Sequence, residues 1–159
     1  MAAQVAVTLA GFAGVVVAFR RGSVHEWSKV DKFRLQILLV NSALPFLVSI
    51  LGLLLLATKL NEVTVWRLCS IVAFVGAVIT GQFISRGFRG LSREQLYAST
   101  SRRWIFVSSG VIGGTATLLQ LYNVIQLQTF WPFLAVIATW LWLAMVQFVL
   151  LIVSQEPTS

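Results

Sequence analysis

A chain of 159 residues that is 58% hydrophobic and only 11% charged, with a mean hydropathy of +0.87, has too little polar surface to coat a water-soluble globule, so its solvent is a lipid bilayer. The net charge of +7 invites comparison with nucleic-acid binders, but those gather bases on a soluble face with aromatics among them. Here the bases lie in short segments between apolar runs, and no nucleic-acid partner is expected. The lone Cys69 excludes a disulfide framework or a thiolate zinc site within one chain.

Runs at about 2–19, 33–57, 64–85, 104–125 and 129–153 are each long enough to cross roughly 30 Å of hydrocarbon as a helix. The fold expected is an all-α five-helix membrane bundle forming a single domain over residues 1–159. The first run lacks the positive charge that precedes the apolar stretch of a secretory signal, because Arg20 and Arg21 follow it. It is expected to remain as a helix with its short N-terminus translocated. A four-span arrangement without it leaves the other spans oriented in the same way.

The distribution of bases sets that orientation. Residues 20–34 carry Arg20, Arg21, Lys29, Lys32 and Arg34, and residues 86–103 carry Arg86, Arg89, Arg93, Arg102 and Arg103. Only Lys59 and Arg67 fall on the opposite side. The positive-inside bias therefore puts the N-terminus outside and the C-terminus in the cytoplasm of a multi-pass inner-membrane protein. Tryptophan, which favours the headgroup level, agrees: Trp27 and Trp104 fall at the inner boundary, Trp66 and Trp131 at the outer. Trp140 and Trp142 lie mid-span, where packing or lipid contact accounts for them.

The first basic segment, "SVHEWSKVDKF", sets Ser23 and Glu26 at capping-box spacing and Val24, Trp27, Val30 and Phe33 at intervals of three. A short helix in the interface would put those four in the acyl boundary and the bases toward anionic lipids, the partners expected at the cytoplasmic loops. The second basic segment repeats the device with Ser92 and Gln95, near Leu91, Leu96 and Tyr97, although a solvated turn fits it equally well.

Helices in lipid associate closely through small residues. The first run carries Ala6, Ala10, Gly14 and Ala18 at four-residue spacing, and the third carries Cys69, Ala73, Ala77 and Gly81. The fourth has Gly110 and Gly114, flanked by Ser109, Gly113 and Thr117. Packing within one chain is the simplest use of any single stripe. Three stripes cannot all pair off two by two, which leaves a case for a homo-oligomer or for other membrane subunits. The fifth run is bulky nearly all round and is expected to face lipid over much of its surface.

No Asp or Glu falls inside an expected span, which argues against a carboxylate relay or an intramembrane hydrolase. The single histidine, His25, cannot supply a multi-ligand site, and no phosphate loop or dinucleotide fingerprint occurs, so neither cofactor nor metal is expected. The polar groups that do enter the membrane are amides and hydroxyls. At about 1.5 Å per residue, Asn41 lies about 12 Å from the cytoplasmic boundary, Gln147 about 9 Å, and Ser109 and Thr80 about 8 Å. Four spans thus bring hydrogen-bonding side chains to one layer.

In "NSALP", Pro45 donates no amide and crowds the carbonyl of Asn41, so that carbonyl and the Asn41 amide need partners from Ser42, neighbouring helices or water. The stretch is either a satisfied kink that fixes helix packing or the wall of a polar cavity open to the cytoplasm. The function expected is non-enzymatic, by assembly as a homo-oligomer or as a small subunit of a complex. An oligomeric channel with a polar vestibule in its cytoplasmic half is the alternative.

The orientation is testable with Lys59→Cys and Arg89→Cys, each in a Cys69→Ala background. An impermeant maleimide added to intact cells is expected to label position 59 alone, and labelling at position 89 would overturn it.

Overall fold

A computed structural model of the chain describes residues 29–89 and 100–153, with four helical positions, Gln4, Val7, Gly11 and Gly14, in the first run. The rest of that run, including Ala10, and the segments 20–28 and 90–99 lie outside the described residues, as do the expectations placed on Trp27, His25 and both capping boxes. Four long helices form the described part: α1 Lys29–Leu56, α2 Glu62–Arg89, α3 Thr100–Tyr122 and α4 Phe130–Val153. A single π-helical turn, Asn123–Leu127, follows α3. Helices are the solution an apolar solvent imposes, because each satisfies its own backbone hydrogen bonds. Three of them, α1, α2 and α4, are long and apolar enough to cross a membrane.

The helices run past the apolar stretches that mark them in the sequence. Asp31 and Arg34, grouped above with a basic loop, sit in the first turns of α1, where Arg34 is 1% exposed. Its Nη1 donates to Asp31 Oδ1 at 3.4 Å, one helical turn away, and this pairing offsets part of the desolvation of a buried guanidinium. Phe33, expected at the acyl boundary, is instead buried, and a Cβ added at Gly87 would collide with its ring. Extending α2 to Arg89 brings that glycine alongside the start of α1.

Short connections make α1 and α2, and likewise α3 and α4, antiparallel neighbours. Asn61 caps α2 by accepting the Thr64 amide on Oδ1 at 2.8 Å, with Glu62 in the first turn and Arg86 and Arg89 in the last, all favourable to the helix dipole. At the same end, Asn123 closes the α3–α4 connection. Its Nδ2 donates to Thr129 O at 3.0 Å and its Oδ1 accepts the Thr129 amide at 3.0 Å. Gln128, at φ 50°, turns the chain and donates its amide to Asn123 O at 2.9 Å. Asn123 Nδ2 also reaches Ser70 Oγ of α2 at 2.7 Å, while Gln120 Nε2 donates to Pro132 O at 2.6 Å.

The main core lies where α1, α2 and α4 meet, with Val48, Val65, Ala73, Phe133, Val136 and Trp140 among its buried members. Gly52 belongs to this contact, since its Cβ position lies 3.6 Å from the Phe133 ring and 3.8 Å from Cys69 Sγ. The last helix is exposed over much of its surface and buried along one face. One face, with Leu134, Trp142, Met145 and Val149, is exposed, but the opposite face supplies much of the core and makes its most extensive packing with α1. Bulk on every side of α4 therefore serves lipid on one side and the bundle on the other.

The Asn123 network makes a stability prediction. Asn123→Ala removes the partners of Ser70 and Thr129 together and is expected to cost about 1–2 kcal/mol, read from unfolding of the purified protein in mild detergent. An unchanged unfolding midpoint would show that these bonds contribute nothing net.

Candidate functional site

Helix α3 joins the bundle mainly through the half nearest its π turn. Ala116, Gln120 and Asn123 are buried at spacings of four and three residues, whereas Trp104, Val107, Gly110, Val111 and Gly114 are exposed. Between the less attached half of α3 and the C-terminal half of α2 lies a cavity of about 780 Å³, backed by α1 and α4. Its walls are mostly apolar, with Ile37, Val78, Ile84, Phe88, Trp140 and Leu143 contributing.

Each helix also delivers one of the polar side chains that the sequence set at a common depth. Asn41 of α1, Thr80 of α2, Ser109 of α3 and Gln147 of α4 all line this cavity. Depth followed from counting residues along each run, but rotation about each axis depends on tertiary packing, and the packing turns all four toward one space. Ser42 and Pro45 are buried beside Asn41 but do not line it. The Ser42 hydroxyl donates to Leu38 O at 2.9 Å, so it is engaged four residues back and not with the carbonyl that Pro45 crowds.

The hydrogen-bonding state of these groups is the site's chief property. Gln147 is 2% exposed, yet its Oε1 has no partner, and neither has the buried Ser109 Oγ. Asn41, also 2% exposed, forms no side-chain hydrogen bond among the described residues. By contrast the Thr117 hydroxyl, on the same wall, is satisfied by Gly113 O at 2.8 Å. Leaving a buried amide oxygen unpaired costs on the order of 1–3 kcal/mol. Arg89 is the one ionisable side chain among the described lining residues, and its Nε and Nη2 donate to Ser85 O at 3.4 Å and Ser85 Oγ at 3.3 Å.

Of the small-residue positions, Ala73 and Ala77 pack inside the described bundle. Gly81, Gly110 and Gly114 are exposed, and a Cβ on any of them would meet nothing within 4 Å. They border the cavity and hold no described helices together. Gly14 is likewise exposed with open space around it. The close contacts fall at glycines outside the stripes: Gly52, Gly87 and Gly76, whose Cβ position lies 3.2 Å from Leu44 Cδ2. Trp104 and Trp131 project from the bundle near helix ends. Trp66 instead leans on Phe130 and Phe133, with ring centroids 4.8 and 6.0 Å away.

The sequence reading missed the Ser70–Gln120–Asn123 cluster at the opposite end. A pairable Asn and Thr six residues apart across a turn hints at its local half. The bond to Ser70, 53 residues earlier, has no local signature.

Comparison of the chain with protein-family models, with curated proteins and with solved structures finds no match in any of the three.

Because Gln147 Oε1 has no partner within the bundle, Gln147→Leu is expected to leave the unfolding midpoint of delipidated protein unchanged or to raise it, as an apolar group of similar size carries no unmet hydrogen bond. Asn123→Leu, measured in parallel, is expected to lower it. Equal losses in both would mean that Gln147 is bonded.

Proposed function

We propose that this is a non-enzymatic, multi-pass protein of the inner membrane that works by binding within the bilayer and by assembly, with the cavity between α2 and α3 as its working surface. The observation that carries this reading is the convergence of four hydrogen-bonding side chains, one per helix, on a single cavity in which Gln147 is buried and unpaired. Gln120 Oε1 is also buried and unpaired but stands outside the cavity, whereas Gln147 Oε1 and Ser109 Oγ are unpaired in one shared space. Five spans, with both basic segments in the cytoplasm, would place the Arg89 end of the cavity in the cytoplasmic leaflet.

The channel version of this reading needs a path across the other half of the bundle. There the buried Val65, Cys69, Ala116 and Val136, and beyond them the Asn123 network, fill the space between the helices. A binding pocket closed at that end accounts for the same polar lining without a path. Assembly has its own support away from the cavity in Gly14 of the first run, which is exposed with nothing within 4 Å of its Cβ position, because a position without a side chain is well suited to close approach by another helix.

Native mass spectrometry of protein released from mild detergent reads both parts at once. The expected wild-type species is an oligomer that retains a non-protein component of lipid size. Gly14→Leu is expected to convert it to a monomer with unchanged thermal stability, since the added side chain meets nothing within 4 Å. A wild-type monomer of bare protein mass would refute both parts.

A further inference from the structure

We infer that the cavity takes a neutral amphiphile, a lipid-sized apolar molecule carrying a hydroxyl, which enters sideways from the bilayer between α2 and α3. The inference rests on the binding reading above and adds the chemistry of the ligand and its route.

The walls define the chemistry. Ile37, Val78, Phe88, Trp140 and Leu143 offer an apolar surface, and a volume of about 780 Å³ accommodates a molecule with an extended hydrocarbon part. Within that surface Gln147 Oε1 and Ser109 Oγ are acceptors without donors, and the Asn41 amide stands beside the same space. A hydroxyl answers both sides of this lining, because it donates to an amide or serine oxygen and accepts from an amide nitrogen. An alkane would leave Gln147 unpaired. A carboxylate or phosphate at the depth of Gln147 finds no uncommitted cation beside it among the described residues, since Arg89 of the lining donates to Ser85 and the buried Arg34 of α1 pairs with Asp31.

The route follows from the glycines. Gly81 on α2 and Gly110 and Gly114 on α3 border the cavity, are exposed, and face open space where side chains would stand. Val107 and Leu118 of α3, on the lining beside this gap, are exposed apolar side chains that belong in lipid. Among the described residues the gap therefore opens toward hydrocarbon, and a membrane-dissolved molecule reaches Gln147 without crossing water.

The test uses the full chain in lipid nanodiscs with three diazirine-tagged probes of equal chain length: hexadecanol, hexadecane and palmitate. Crosslinked residues are located by mass spectrometry. Tagged hexadecanol is expected to label α2 and α3 around the cavity saturably, and excess untagged hexadecanol is expected to suppress that labelling. Gln147→Leu is expected to raise the half-saturating concentration about tenfold, the effect of losing one good hydrogen bond in a dry site. Gly110→Phe, a substitution on an exposed position, is expected to abolish cavity labelling while leaving thermal stability intact.

Saturable labelling by hexadecane or palmitate equal to that by hexadecanol would overturn the ligand class while leaving the binding cavity standing. Labelling by no probe above the level on the outward face of α4 would overturn the cavity reading as well. Unaltered labelling in Gly110→Phe would overturn the lateral route, and an unaltered half-saturation in Gln147→Leu would overturn the role given to that amide.

Discussion

Hydrocarbon offers no hydrogen bonds, so every polar group taken into it needs a partner within the protein or carries the cost of lacking one. That constraint makes the chain helical and also divides the bundle into two unlike ends. Where α3 turns into α4, Asn123, Thr129 and Ser70 satisfy one another, and α2, α3 and α4 are tied together there. Toward the other end, Asn41, Ser109 and Gln147 face a common space and the bonds that would close it are absent among the described residues. Gln120 Oε1 is also unpaired at the satisfied end, so the informative feature at the other end is that two unpaired groups, Gln147 Oε1 and Ser109 Oγ, share one space.

Small residues divide in a parallel way. Gly52, Gly76 and Gly87 sit where helices touch, so adding a methyl group at Gly87 would push the Phe33 ring aside. Gly81, Gly110 and Gly114 sit where helices part, and adding a methyl group there would meet nothing. Both groups are compatible with close packing, but only the first is used for it within the described chain. The second keeps a flank of the cavity open, which is why α3 contributes so little to the core beyond Ala116.

The helices were legible in the sequence because a bilayer-spanning apolar run leaves little choice of structure, and the runs at 33–57, 64–85 and 129–153 reappear as α1, α2 and α4 with ends moved by a few residues. The ends moved because helix propagation does not stop where hydrophobicity does: an Asp31–Arg34 pair or a capping Asn61 continues or starts a helix in polar sequence. The depth of Asn41, Thr80, Ser109 and Gln147 was legible for the same reason, as rise per residue is fixed. Their convergence was not, because it depends on how each helix is rotated against its neighbours. Nor could spacing alone separate glycines that touch from glycines that do not, since Gly76 and Gly81 on one helix differ only in which side they face.

The most direct measurement is a cryo-electron microscopy map of the protein in lipid nanodiscs, read at the gap between the C-terminal half of α2 and the N-terminal half of α3. The expected map shows elongated non-protein density there, reaching within hydrogen-bond distance of Gln147 and passing between Gly81 and Gly110. A map in which α3 lies flush against α2, with the Gln147 amide bonded to Asn41 or Ser109 and no space between the helices, would contradict it.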